Sequence, residues 1–128
     1  MPESALGFWL KGLRERKKLS LRDLAERSEV DHAYIHRLET GAKEAPSDEV
    51  VNKLNAALSP TKRDAEVFRF LVNHSKIDIN MLKFVRENAS VTFPEFHMLT
   101  TVVNRGSRPD FATSLARIRR ILQEDGDG

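Results

Sequence analysis

The 128-residue sequence contains no cysteine, which excludes disulfides and thiolate metal sites. Long apolar runs are also missing. Stretches such as "FRFLV" (68–72) end after a few residues, too short for a membrane span. The start, "MPESALGFWLKG", lacks the charged-then-apolar order of a signal peptide, so the expected location is cytoplasmic. There is no glycine-rich phosphate loop and no serine elbow, so neither an enzyme nor a cofactor is expected. A strong charge of one sign is absent too: 21 Lys and Arg stand against 19 Asp and Glu, a net +2. That balance does not by itself argue for a nucleic-acid partner, although basic residues cluster between Lys11 and Lys18 and again between Arg105 and Arg120.

Apolar residues make up 40% of the chain. That is enough for a folded core and too much for wholesale disorder. Their spacing is helical almost throughout. Leu6, Trp9, Leu10 and Leu13 keep the i, i+3, i+4, i+7 pattern of one buried face. Ser20 has N-cap chemistry for a helix at 21–28, with Asp23 three residues on. Asp31 caps the next helix, and Gly41 stops it. Pro46 and Ser47 open a fourth helix bearing Val50, Val51, Leu54, Ala57 and Leu58. Beyond the Ser59-Pro60-Thr61 break, Val67, Phe68, Leu71 and Val72 form another stripe, and Asp78 starts a short helix with Met81, Leu82 and Val85. "TFPEF" (92–96) has the makings of a capping box. Ser107 and Pro109 are expected to start the last helix, and the "EDGDG" tail to fray. "ASVTF" (89–93) is the only short strand candidate, so the expected class is all-α.

Two helices at 21–28 and 31–39, separated by two residues, have the layout of a helix-turn-helix. Ala25 is small where the pair would touch, Val30 would plug the core from the turn, and Ile35 and Leu38 would anchor the second helix. His32, Ala33, His36 and Arg37 are then left on the outer face. The His32/His36 spacing also occurs in helical zinc sites. Ala33 stands where a zinc-protease helix carries Glu, and no third ligand is at hand, so contact with DNA is the favoured reading and no metal is expected. His74 reads as a linker residue and His97 as helix surface. The terminal "DGDG" lacks the later ligands of a calcium loop.

The segment "LRERKKLSLRDLAERSEVDHAYIHRLETGAKEAPSDEVVNKLNAAL" resembles the lambda-repressor-like, or XRE-type, helix-turn-helix family over roughly 6–58. The resemblance rests on the "LR" pair before "LS", on "LAERS", on "YIHRLETG", and on a proline five residues after the glycine. It implies a five-helix DNA-binding domain at 1–58 acting as a dimer, its third helix in a major groove. Carried over residue by residue, base- or phosphate-contacting positions fall on His32, Ala33, Tyr34, His36 and Arg37. Thr40 and Lys43 fall in a loop that meets the backbone, and Arg14 with Glu39 on a structural ion pair. The family often has Gln at the first position of the second helix; Leu21 stands there, so that phosphate contact passes to Arg22. Another departure is Glu29, where glycine is common at a position needing φ > 0.

The groove gives these residues physical roles. Arg37 is suited to bidentate bonding with guanine O6 and N7, His32 to donation to guanine or phosphate, and Ala33 to contact with a thymine methyl. The expected function is a transcriptional regulator, repressing from an inverted-repeat operator as a homodimer. Region 59–128 is assigned to helical dimerisation through Phe93, Phe96, Leu99, Val102, Val103, Leu115, Ile118, Ile121 and Leu122. One alternative is an antitoxin whose second half binds a toxin protein while the first represses the shared operon. Another is an adaptor that has kept the bundle without DNA binding.

Overall fold

A computed structural model of the chain describes residues 4–42, 45–102 and 110–127, with side chains excluded at 102 and 124–127. Among the described residues every regular element is an α-helix, and no helix is long and apolar enough to cross a membrane. The helices are α1 (Ala5–Arg16), α2 (Leu21–Ser28), α3 (His32–Thr40), α4 (Asp48–Leu58), α5 (Lys62–Asn73), α6 (Ile79–Glu87), α7 (Phe93–Val102) and α8 (Phe111–Asp127). They fall into two compact units, Met1–Ile79 and Asn80–Gly128.

Local chemistry sets most helix starts in the first unit. Ser4, Ser20, Asp31, Ser47 and Thr61 each accept a hydrogen bond from the backbone N–H three residues on, satisfying donors the helix cannot use internally. At α2 the bond is reciprocal, because Asp23 Oδ2 accepts from the Ser20 N–H at 2.9 Å. Those bonds hold the exposed Asp23 carboxyl below its ordinary range. The apolar faces then converge. Helix α1 packs on α3 and α5, and α2 on α3 and α4, around Leu10, Leu24, Ile35, Leu38, Leu54, Leu58, Val67, Phe68 and Leu71.

The fifth helix of this unit is α5, which lies beyond the expected boundary at residue 58. A buried carboxylate ties it to α1. Asp64 is 1% exposed; its Oδ2 accepts from Arg16 at 3.0 Å and its Oδ1 from Arg63 at 2.9 Å. The Trp9 indole N–H donates to the Asp64 carbonyl at 3.1 Å. The stretch 1–58 therefore holds only four of the five helices, and the compact unit runs on to Ile79. His74, expected to be a linker residue, is the C-cap of α5. Its ring stacks on Phe70, with centroids 4.0 Å apart.

The second unit contains α6, α7 and α8, with α7 packed on α8. The expected capping box at α7 is present: the Thr92 N–H donates to Glu95 Oε1 at 2.9 Å, and the Glu95 N–H to Thr92 Oγ1 at 3.2 Å. Arg119 on α8 reaches Glu95 Oε2 at 3.0 Å. "ASVTF" forms no strand. Helix α8 begins after Asp110, which accepts from the Thr113 N–H. Ser107 and Pro109, the expected starters, lie outside the described residues. The helix also continues to Asp127, through the tail expected to fray.

Part of the expected dimer surface is buried within the chain. Phe96 and Leu99 are fully buried, and Leu115 and Ile118 are 6% and 2% exposed. Apolar side chains at helical spacing were covered by the fold itself, so they are core residues and not free surface. Of the expected set, Ile121 is 44% exposed, and Phe93 and Leu122 are half-buried. Val103 and the Val102 side chain lie outside the described residues.

Candidate nucleic-acid interface

The turn between α2 and α3 sets the geometry of the outer face. Helix α2 ends at Ser28, and Glu29 adopts φ 59° and ψ 30°. This left-handed conformation lets the chain reverse within a few residues and costs a non-glycine residue on the order of 1 kcal/mol. The Glu29 N–H still donates to the Ala25 carbonyl at 2.9 Å, and the Val30 N–H to Ser28 Oγ at 3.2 Å. Val30 is 7% exposed and locks the turn into the core.

Helix α3 is held from beneath. Asp31 Oδ2 accepts from the Tyr34 N–H at 3.1 Å. Ile35 and Leu38 are buried, as the helical period requires. Glu39, though charged, is also buried and receives both arms of Arg14: Nε donates to Oε2 at 2.7 Å and Nη2 to Oε1 at 3.0 Å. A third Arg14 donor reaches the Leu19 carbonyl at 2.8 Å. The hydrogen bond that Arg14 donates to Glu39 pushes the Arg14 pKa up, against the opposing effect of burial. The pair fixes α1 to α3 and takes no part in the outer surface.

That outer surface carries His32, Ala33, His36, Arg37 and Thr40, all exposed. Arg37 enters no side-chain hydrogen bond or ion pair among the described residues, so its guanidinium has donors to offer a ligand. The Thr40 hydroxyl instead donates to the Arg37 carbonyl at 3.3 Å. Tyr34 is half-buried and lines an open cleft of about 270 Å³ with Glu29, Val30, Asp31, Val50 and Lys53. Arg22 is exposed in the first turn of α2, beside the half-buried Leu21. Gly41 ends α3 at φ 81°. Lys43 lies outside the described residues.

One residue that positions α3 has no counterpart in the sequence reading. Gly7, on α1, faces the end of α3. A Cβ built there would overlap the Glu39 carbonyl and come within 2.8 Å of the Leu38 carbonyl oxygen. A glycine inside a helix costs about 1 kcal/mol relative to alanine. Its presence within an apolar stripe was the available signal for a close backbone approach.

A short helix, a left-handed reversal and a second helix with its outer face open are thus assembled from 21 to 40. Residues 5–64 match the family model for a helix-turn-helix domain. This segment is a helix-turn-helix domain. The match starts with the first residue of α1 and ends at Asp64, the carboxylate that ties α5 to it. Helix-turn-helix domains bind DNA by seating the second helix of the motif in the major groove, and the second helix of this motif is α3. No curated protein matches the chain.

Proposed function

We propose that the chain is a sequence-specific transcriptional regulator, acting as a repressor that binds an inverted-repeat operator as a homodimer. The observation that carries this reading is the outer face of α3. Scaffold contacts through Asp31, Ile35, Leu38 and Glu39 leave Arg37, His32, Ala33 and His36 open to a groove. Arg37 reads a guanine edge, His32 and His36 donate to bases or phosphates, and Ala33 meets a thymine methyl. Arg22, Thr40, Lys43 and Tyr34 serve as backbone contacts that set orientation.

The case for two copies is energetic. Residues 1–79 carry fourteen basic and thirteen acidic residues, so long-range attraction to DNA is weak, and one domain covers only a half-site. A second linked copy restores affinity through effective concentration. The second unit supplies the link, using surface that its own core leaves open, with Ile121 foremost.

The test is genomic footprinting of the tagged full chain, paired with sedimentation of the full chain and of residues 1–79. Inverted-repeat footprints upstream of genes and a dimer that needs the second unit are expected. Footprints without dyad symmetry, or a monomeric full chain that binds its operator tightly, would sink the homodimer reading. A co-purifying toxin bound by the second unit would favour the antitoxin alternative.

A further inference from the structure

We propose that DNA binding by this chain is proton-linked, with His32 and His36 on α3 as the sensing pair. The proposal rests on the DNA-binding role of α3 and adds a regulation to that site. The two imidazoles stand four residues apart on one helix face, one turn or about 6 Å of rise, and both are exposed. Imidazole is the side chain whose charge changes between about pH 5 and pH 8. Two sites that gain charge in that range are large beside a formal charge for residues 1–79 of fourteen basic against thirteen acidic groups.

The surroundings leave the pair available to phosphate. Neither imidazole forms a hydrogen bond or ion pair among the described residues. Of the charged groups on elements packed against α3, Arg14, Asp23 and Asp31 are engaged, Arg22, Arg27 and Lys53 are of like sign, and Glu26 and Glu29 are acidic. Helix α1 brings Arg14, whose guanidinium is taken by Glu39 of α3 itself. Helix α2 brings Arg22, Asp23, Glu26 and Arg27, of which Asp23 is bound to its own cap at Ser20. The turn contributes Glu29 and Asp31, and Asp31 accepts from the Tyr34 N–H. Lys53 of α4 lines the cleft beside Tyr34, and Arg37 shares the outer face.

The sign follows directly. Phosphate attracts the imidazolium and not the neutral ring, so a phosphate contact at these positions is a contact with the protonated form. Affinity is then greatest at low pH and falls as pH rises. Each cation added to a phosphate also steepens the logarithmic salt dependence by about 0.9.

The experiment uses the full chain and a duplex that the chain itself selects from a random-sequence pool at about pH 6. Its affinity is measured from about pH 6 to about pH 8 over a range of salt. The expected result is a loss of about tenfold or more as pH rises, with a shallower salt slope at the upper end. The double variant His32→Gln/His36→Gln, which keeps His74 and His97, should bind with no pH dependence. His32→Lys/His36→Lys should hold its affinity and its salt slope across the range. Wild-type binding that ignores pH, or pH dependence that survives in either double variant, overturns the inference and leaves the DNA-binding role intact. Failure to select any duplex would overturn that role itself, and the inference with it.

Discussion

Both carboxylate oxygens of Glu39 are gripped by Arg14, at 2.7 and 3.0 Å, across the joint between α1 and α3. The side chains are only 13% and 5% exposed. Removing one partner would strand a charge in that setting. Glu39→Ala is expected to destabilise the first unit by about 3 kcal/mol or more. Equilibrium urea unfolding checks this; an unchanged midpoint would show that the pair contributes nothing.

Gly7 sets the spacing of the same two helices. Gly7→Ala gains about 1 kcal/mol in helix propensity but drives a methyl group into the Glu39 and Leu38 carbonyls. Backbone cannot give way as a flexible side chain can. A net loss of about 1–3 kcal/mol is therefore expected, measured by the same unfolding experiment. A gain in stability would mean that α3 can back away from α1 without cost.

Arg37 has no competing partner among the described residues. Arg37→Ala should weaken binding to the selected operator by about 1–3 kcal/mol and relax preference at one position per half-site. Arg22→Ala should weaken all duplexes alike and lower the salt slope. Equal binding of the operator and a scrambled duplex before and after Arg37→Ala would remove α3 from the groove.

In the second unit, burial pushes the Glu95 carboxyl up, but hydrogen bonds from Arg119 and the Thr92 N–H outweigh it and hold the group below its ordinary range. A depressed carboxylate pKa adds stability that is fully present above the unfolded value and lost as pH falls through the folded one. The second unit should therefore weaken below about pH 4, and Glu95→Gln should flatten that dependence. Acid titration of wild type and variant, followed by helix content, checks the sign. An equally steep acid loss in Glu95→Gln would place its cause elsewhere.

Asn55 on α4 is 9% exposed, and neither polar atom of its amide has a hydrogen-bond partner among the described residues. An unsatisfied buried amide costs about 1–3 kcal/mol. Asn55→Leu, which shares its branching at Cγ, should raise the unfolding midpoint of the first unit. A lower midpoint would show that the amide is bonded after all.

The parts of this fold that could be read from sequence are those written in neighbouring residues. Ser20 with Asp23, Asp31 with Tyr34, Gly41, and Thr92 with Glu95 each complete their bonding within three or four positions, so chemistry and spacing suffice. Glu29 could likewise be marked for a positive φ, which it has at 59°. The allegiance of α5 could not. It depends on Asp64 meeting Arg16 and Trp9, 48 and 55 positions away, and nothing local announces such a meeting. The apolar stripe of α7 was ambiguous for a related reason. Periodicity shows that Phe96 and Leu99 face something, but only packing tells whether a second copy or the chain's own α8 covers them. On the outer face of α3, the residue types and their spacing named the outward set. The close approach of Gly7, which places that face, became visible only with both backbones in view.

Trp9 is the chain's single tryptophan and Tyr34 its single tyrosine, and both belong to Met1–Ile79. The indole is 2% exposed and bonded to the Asp64 carbonyl, at the joint of α1 and α5. Intrinsic fluorescence will therefore report on the first unit alone and register the release of α5 as the indole meets water. The second unit, whose aromatic rings are all phenylalanine, is nearly dark at those wavelengths. A melt followed by emission and one followed by peptide absorption need not coincide. Any gap between them measures how independently the two units unfold.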